Sequence, residues 1–100
     1  MDNEDIQAPA PDRTVRLPEV LDMRAAGPLA AELLERRGRD IDLDASDVGR
    51  IGAQCLQVLL AARACWETDG AALCVVRPSS GFIEGLALLG APAFAQPSGV

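Results

Sequence analysis

The chain has no histidine, no tyrosine and no lysine, and only one tryptophan and two phenylalanines among its 100 residues. Without histidine there is no imidazole to act as a general base near neutral pH. With so few rings, the core has to be built from Leu, Val, Ile and Ala. Basic charge is scarce as well: nine arginines face fifteen carboxylates, for a formal net charge of −6. A ligand with a phosphate backbone needs clustered Lys and Arg, and no basic stripe is present, so nucleic acid is excluded as a partner. The acidic balance suits solubility or a basic protein surface.

Cysteine is sparse and oddly placed. Cys55, Cys65 and Cys74 are three in number, lack CxxC spacing and lie within apolar stretches. That pattern argues against a disulfide framework and against a zinc site, and free buried thiols fit a reducing compartment. No apolar run approaches the eighteen or so residues of a membrane span, and the first residues are acidic where a secretory signal would be basic and then apolar. A cytoplasmic protein without direct membrane insertion is expected, with neither metal nor other cofactor.

What is present is a clear order of elements. Residues 1–13 carry acidic residues and prolines without periodicity and read as a disordered acidic tail. A folded domain over 14–90 follows, then a C-terminal tail over 91–100 that places Phe94 against the core. Thr14–Leu17 and Glu19–Leu21 read as short strands around Pro18, an edge hairpin or a bent strand. Leu29, Ala30, Leu33 and Leu34 recur at helical spacing within 26–37, with Pro28 near the start and Gly38 as the stop. Asp40–Asp44 alternates acidic and apolar residues with period two, which predicts a strand burying Ile41 and Leu43 and wetting three carboxylates. Same-face neighbours on a strand stand about 7 Å apart, too far for a compact calcium site.

A second helix is predicted over 53–68, closed by Asp69–Gly70, with Cys55, Leu56, Leu59, Leu60, Ala62 and Trp66 inward. Its opposite stripe, Gln54, Gln57, Ala61, Ala64 and Thr68, is small and uncharged. A solvated face ordinarily carries Lys and Glu, so this smooth stripe is a candidate docking surface. Ala71–Val76 is continuously apolar and predicts an interior, central strand. A third helix follows, capped by Ser79 or Ser80, with Phe82, Ile83, Leu86 and Leu89 as its apolar set and Gly90 as its stop. Gly81 and Gly85 lack the spacing and the Lys–Ser/Thr of a phosphate loop. The strand–helix–strand steps imply right-handed parallel crossovers in a two-layer α/β domain.

Three stretches then carry a family resemblance: Glu19–Val20–Leu21–Asp22 ahead of the first helix, Leu43 to Val48 closing the acidic strand, and Ile51 to Leu56 opening the second helix. In that order and spacing the chain resembles a STAS domain, the sulfate-transporter and anti-sigma-factor-antagonist family. The resemblance implies an α/β two-layer sandwich, with a mixed, mostly parallel sheet of four to five strands and helices packed on one face. In anti-sigma-factor antagonists the last stretch reads approximately Asp–Ser–Ser–Gly–Leu, and one serine is phosphorylated by a partner kinase. On that register Gly52 stands for the aspartate, Ala53 for the first serine, Gln54 for the phosphorylated serine and Cys55 for the glycine. Gln54 has no hydroxyl, so the usual phospho-switch cannot operate there.

The resemblance implies a non-catalytic protein-binding module of bacterial signal transduction, closest in wording to small stand-alone members associated with chemotaxis. Its partners would be a signalling kinase or a response regulator. An anti-sigma-factor antagonist, with an anti-sigma kinase as partner, and the STAS regulatory subunit of a lipid-transport ABC transporter are the alternatives, and a homodimer is compatible with the sequence. The expected contact residues are Asp44, Ser46, Asp47, Gly52, Ala53, Gln54, Gln57, Ala61 and Ala64. Ser46 is the one hydroxyl of its loop and also suits a turn after Asp44. A thiol catalyst at Cys55 is the enzymatic alternative; with no histidine or lysine to activate it and a helical pattern that points it inward, no enzyme activity is expected.

Overall fold

The computed structural model describes residues 13–95. The acidic tail expected over 1–13 lies outside the described residues except for Arg13, whose guanidinium pairs with Asp42 at 3.1 Å. Along the chain run β1 (Thr14–Arg16), β2 (Val20–Leu21), α1 (Met23–Glu35), β3 (Ile41–Asp44), β4 (Arg50–Ile51), α2 (Ala53–Asp69), β5 (Leu73–Val76), α3 (Ser80–Leu88) and a 3₁₀ turn at Pro92–Ala95. The strands form two ladders, one in the order β1-β3-β5 and one joining β2 to β4, and every pairing is parallel. The α/β class that the resemblance implies is present, with the expected mixed sheet of four to five strands divided into all-parallel ladders of three and two.

Two strand expectations are corrected. The segments around Pro18 do not pair with each other: β1 joins β3, β2 joins β4, and the chain bends between them. Leu17 still donates to the Asp44 carbonyl at 2.9 Å, and Pro18, which has no N–H to offer, falls at the break. The central strand is β3, and the continuously apolar β5 lies at an edge. Composition misleads here because β5 buries only Leu73 fully, whereas β3 buries Ile41, Leu43 and Asp44.

The helices begin where side chains or backbone cap them. Asp22 accepts from the N–H groups of Arg24 (3.0 Å) and Ala25 (3.3 Å), so α1 starts three residues ahead of the predicted Ala26 and carries Pro28 inside its second turn. α2 has the predicted start and ends at Gly70, which adopts φ +72° and lets Ala71 donate back to the Trp66 carbonyl at 3.0 Å. Ser79 caps α3 by accepting from Phe82 N–H at 3.0 Å.

The core gathers Val15, Leu17, Leu21, Ile41, Leu43, Leu59, Phe82, Leu86 and Phe94, all at most 2 % exposed. Trp66 joins it with its indole N–H donating to the Arg39 carbonyl at 2.7 Å. Phe94 is held there by Arg63, whose guanidinium lies 4.0 Å over the ring and donates to the Phe94 carbonyl at 3.0 Å. Three predicted inward residues point out instead: Leu60, Ile83 and Leu89 are 43 %, 46 % and 37 % exposed. α3 seats itself by glycine. A Cβ on Gly81 would come within 2.4 Å of the Gly49 carbonyl oxygen, and one on Gly85 within 2.6 Å of Ile51 Cγ2.

Candidate functional site

The expected contact residues come from two adjoining pieces of chain: the loop that leaves β3, and the first three turns of α2. β4, two residues long, joins them. It is fixed on β2 through hydrogen bonds from Gly49 and Arg50 N–H to the Glu19 carbonyl and from Gly52 N–H to the Leu21 carbonyl.

At the loop, the expectation of three wetted carboxylates fails for one of them. Asp40 accepts from Ala72 N–H at 2.9 Å and Asp42 pairs with Arg13, but Asp44 is only 2 % exposed. Its Oδ1 accepts from the Ser46 N–H at 3.0 Å and from the Ser46 hydroxyl at 2.7 Å, and its Oδ2 is held by the Arg77 guanidinium. The bonds from Ser46, with Arg77 beside them, pull the Asp44 carboxyl down to about 2. Asp44 thus braces the loop from within, while Ser46 and Asp47 are exposed on its outer side and Asp47 pairs with Arg16 at 3.4 Å. Further bonds tie the loop to the start of α3: Ser79 N–H donates to the Ala45 carbonyl at 3.1 Å, and the Ser79 hydroxyl donates to the Val48 carbonyl.

Arg77 has no counterpart among the contact residues expected from the sequence. Its backbone sits at φ +50°, the left-handed region, immediately before Pro78. A non-glycine residue is strained there by roughly 1–3 kcal/mol. The ion pair with a buried carboxylate accounts for the arrangement: the turn aims an otherwise exposed guanidinium onto Asp44. No local sequence signal marks it, because its partner lies 33 residues away.

At the helix, Gly52 is the N-cap, and no side chain satisfies the first-turn N–H groups. Ala53, Gln54, Gln57, Ala61, Ala64 and Thr68 are all exposed, in line with the uncharged stripe read from the spacing. Leu60 belongs to the outward side too, so the stripe carries one large apolar side chain among its alanines and glutamines. Gly52 is half-buried beneath it. Cys55 points the other way: it is fully buried, its thiol donates to the Asp22 carbonyl at 3.2 Å, and burial pushes its pKa up. A thiol in that state is a packing residue.

The arrangement is an internally braced loop beside an open helix N-terminus and a low, uncharged helix face. Among the described residues, no helix is long and apolar enough to cross a membrane. A family model described as "Mlab, STAS domain" matches residues 5–93. No curated protein matches the chain.

Proposed function

The chain belongs to the STAS domain family, whose members are in general non-catalytic regulatory and protein-binding modules, and on that premise we propose that it docks a signalling protein through the outer face of α2. The partner class is a bacterial pathway kinase or response regulator, in a chemotaxis-associated setting, and the protein acts in the cytoplasm without catalysing a reaction. The observation that carries this reading is the exposed stripe Gln54, Gln57, Leu60, Ala61 and Ala64, which has no charge to desolvate and small side chains that admit another backbone closely. Gln54 and Gln57 add donors and acceptors, and the uncapped first turn adds N–H groups.

Gln54 occupies the position that the resemblance assigns to the regulatory phosphoserine, and an amide there cannot be phosphorylated. Docking is therefore constitutive on this side and controlled by the state of the partner. The test is affinity capture from native cytoplasm, comparing the wild-type chain with Ala61→Arg, a substitution at an exposed helical position that leaves the fold intact. Recovery of a chemotaxis kinase or response regulator by the wild type alone supports the proposal. Recovery of an anti-sigma kinase or a transporter ATPase replaces the pathway, and equal recovery by both proteins removes the α2 face.

A further inference from the structure

The two edges of the β1-β3-β5 ladder differ in how they end. The β1 edge is blunted: the strand has three residues, Arg13 precedes it, Arg16 closes it and Pro18 follows. The β5 edge carries no such device along Leu73–Val76, which holds neither charge nor proline, and among the described residues no strand pairs with its outer side. The Ala72 and Val76 carbonyls accept from the N–H groups of Ile41 and Ala45 at 2.8 and 3.1 Å, so the even-numbered positions turn to β3. Leu73 and Val75 therefore present their N–H and C=O groups to the open edge.

Burial and charge point the same way. Leu73 and Val75 share the core face with their register partners Ile41 and Leu43, yet Val75 is only half-buried where both partners are closed off. Cys74 and Val76, beside Asp42 and Asp44 on the outer face, are half-buried as well. The run Ala71–Val76 has the composition of an interior strand, and it becomes one only with a further strand on its outer edge. Asp40, bonded to Ala72 N–H and with its side chain 54 % exposed, stands at the start of β5, and Arg77, 69 % exposed, stands at its end. A strand with the same charges running the opposite way sets each arginine beside the other's aspartate.

We propose that β5 is the contact of a two-fold symmetric homodimer, in which the β5 strands of two copies pair antiparallel and join their ladders into one sheet in the order β1-β3-β5-β5-β3-β1. A two-fold axis at a strand edge makes the pairing antiparallel, and the edge serves as its own complement. The register that uses both outward residues sets Leu73 against Val75 of the second copy and Val75 against its Leu73, each pair exchanging both N–H···O bonds. Cys74 then faces Cys74 of the second copy in a non-hydrogen-bonded pair, with Cα atoms about 4.5 Å apart, a separation that a disulfide can span. Arg77 comes opposite Ala71 of the second copy, near its Asp40. The contact uses no residue of the α2 stripe, so it does not depend on what docks there.

The test is sedimentation of the full chain at ~100 µM, where a dimer with a Kd of about 1 µM is about nine-tenths formed. The wild type is expected at twice the monomer mass. Val75→Pro removes an N–H from the open edge and none from the β3 ladder, so it should weaken association at least about tenfold with an unchanged circular dichroism spectrum. Ala61→Arg, on the outer face of α2, should dimerise as the wild type does. A second readout needs no substitution: diamide, which takes the two thiol hydrogens and is itself reduced to the hydrazine, should join Cys74 to Cys74 of the second copy, a link identified by peptide mass spectrometry. A monomeric wild type overturns the proposal, as do undiminished dimerisation of Val75→Pro, loss of the dimer in Ala61→Arg, and a crosslink through Cys65 in place of Cys74.

Discussion

Asp44 shows how a residue that alternation places on the solvent side can end up in the interior. Its neighbours Ile41 and Leu43 are buried as the period-two pattern requires, yet Asp44 is buried too, because Ser46 turns back onto one of its oxygens and Arg77 closes over the other. The turn role of Ser46 was legible in the sequence; the arginine was not, since nothing local pairs a residue on β3 with one beyond β5. The carboxyl sits at about 2 in the folded protein, below its ordinary 3.8. A depressed carboxylate contributes stability that is fully present above the unfolded value and is lost as pH falls toward the folded one. Asp44→Asn is therefore expected to cost about 2 kcal/mol at pH 7 and progressively less between about pH 4 and pH 2, read by urea unfolding across that range. A constant cost down to pH 2 would mean that the charge is not what matters. Cys55 gives a second check at this scale. Its buried, raised thiol should alkylate far more slowly in the native protein than Cys65 or Cys74, which are partly exposed.

Elements were legible in proportion to how much of their determinant is local. α2 has the predicted start and ends within one residue of the predicted stop, since its periodicity lies within it and the Gly52 cap and the Gly70 stop adjoin its ends. α1 begins ahead of the predicted Ala26 because Asp22 caps it, a determinant outside the apolar periodicity. The apolar run of β5 predicts a central strand, but strand order is set by which crossovers close. The outer face of the true central strand is instead handled by Arg13 on Asp42 and Arg77 on Asp44. The glycines of α3 lack the spacing of a phosphate loop, and their use in packing is visible only in three dimensions. Gly81→Ala drives a Cβ into the Gly49 backbone, whereas Gly85→Ala meets the Ile51 side chain, which can shift. Thermal or urea unfolding should therefore show Gly81→Ala destabilised by about 2–4 kcal/mol and Gly85→Ala by less. Equal stability of Gly81→Ala and the wild type would contradict the close packing of α3 on β4.

At the scale of the molecule, a small parallel α/β domain turns its core inward and leaves three kinds of outer surface. The outer side of the sheet carries ion-paired carboxylates, the outer face of α2 is uncharged and nearly smooth, and from Ala61 it runs into an apolar hollow against α1. The architecture and the α2 stripe could be read from spacing because both follow from periodicity. The outward turn of Leu60, Ile83 and Leu89 could not, because it depends on how far each helix rolls against its neighbours. Leu60 adds to the proposed docking face an apolar side chain whose spacing predicts a core position. The central claim is that this face binds the partner, and the most direct measurement is the dissociation constant of the captured partner for three chains: wild type, Ala61→Arg on α2, and Ala87→Arg at an exposed position on α3. The account predicts affinity at least about tenfold weaker, near 1.4 kcal/mol, for Ala61→Arg and no change for Ala87→Arg. Undiminished binding by Ala61→Arg, or a loss confined to Ala87→Arg, would contradict it.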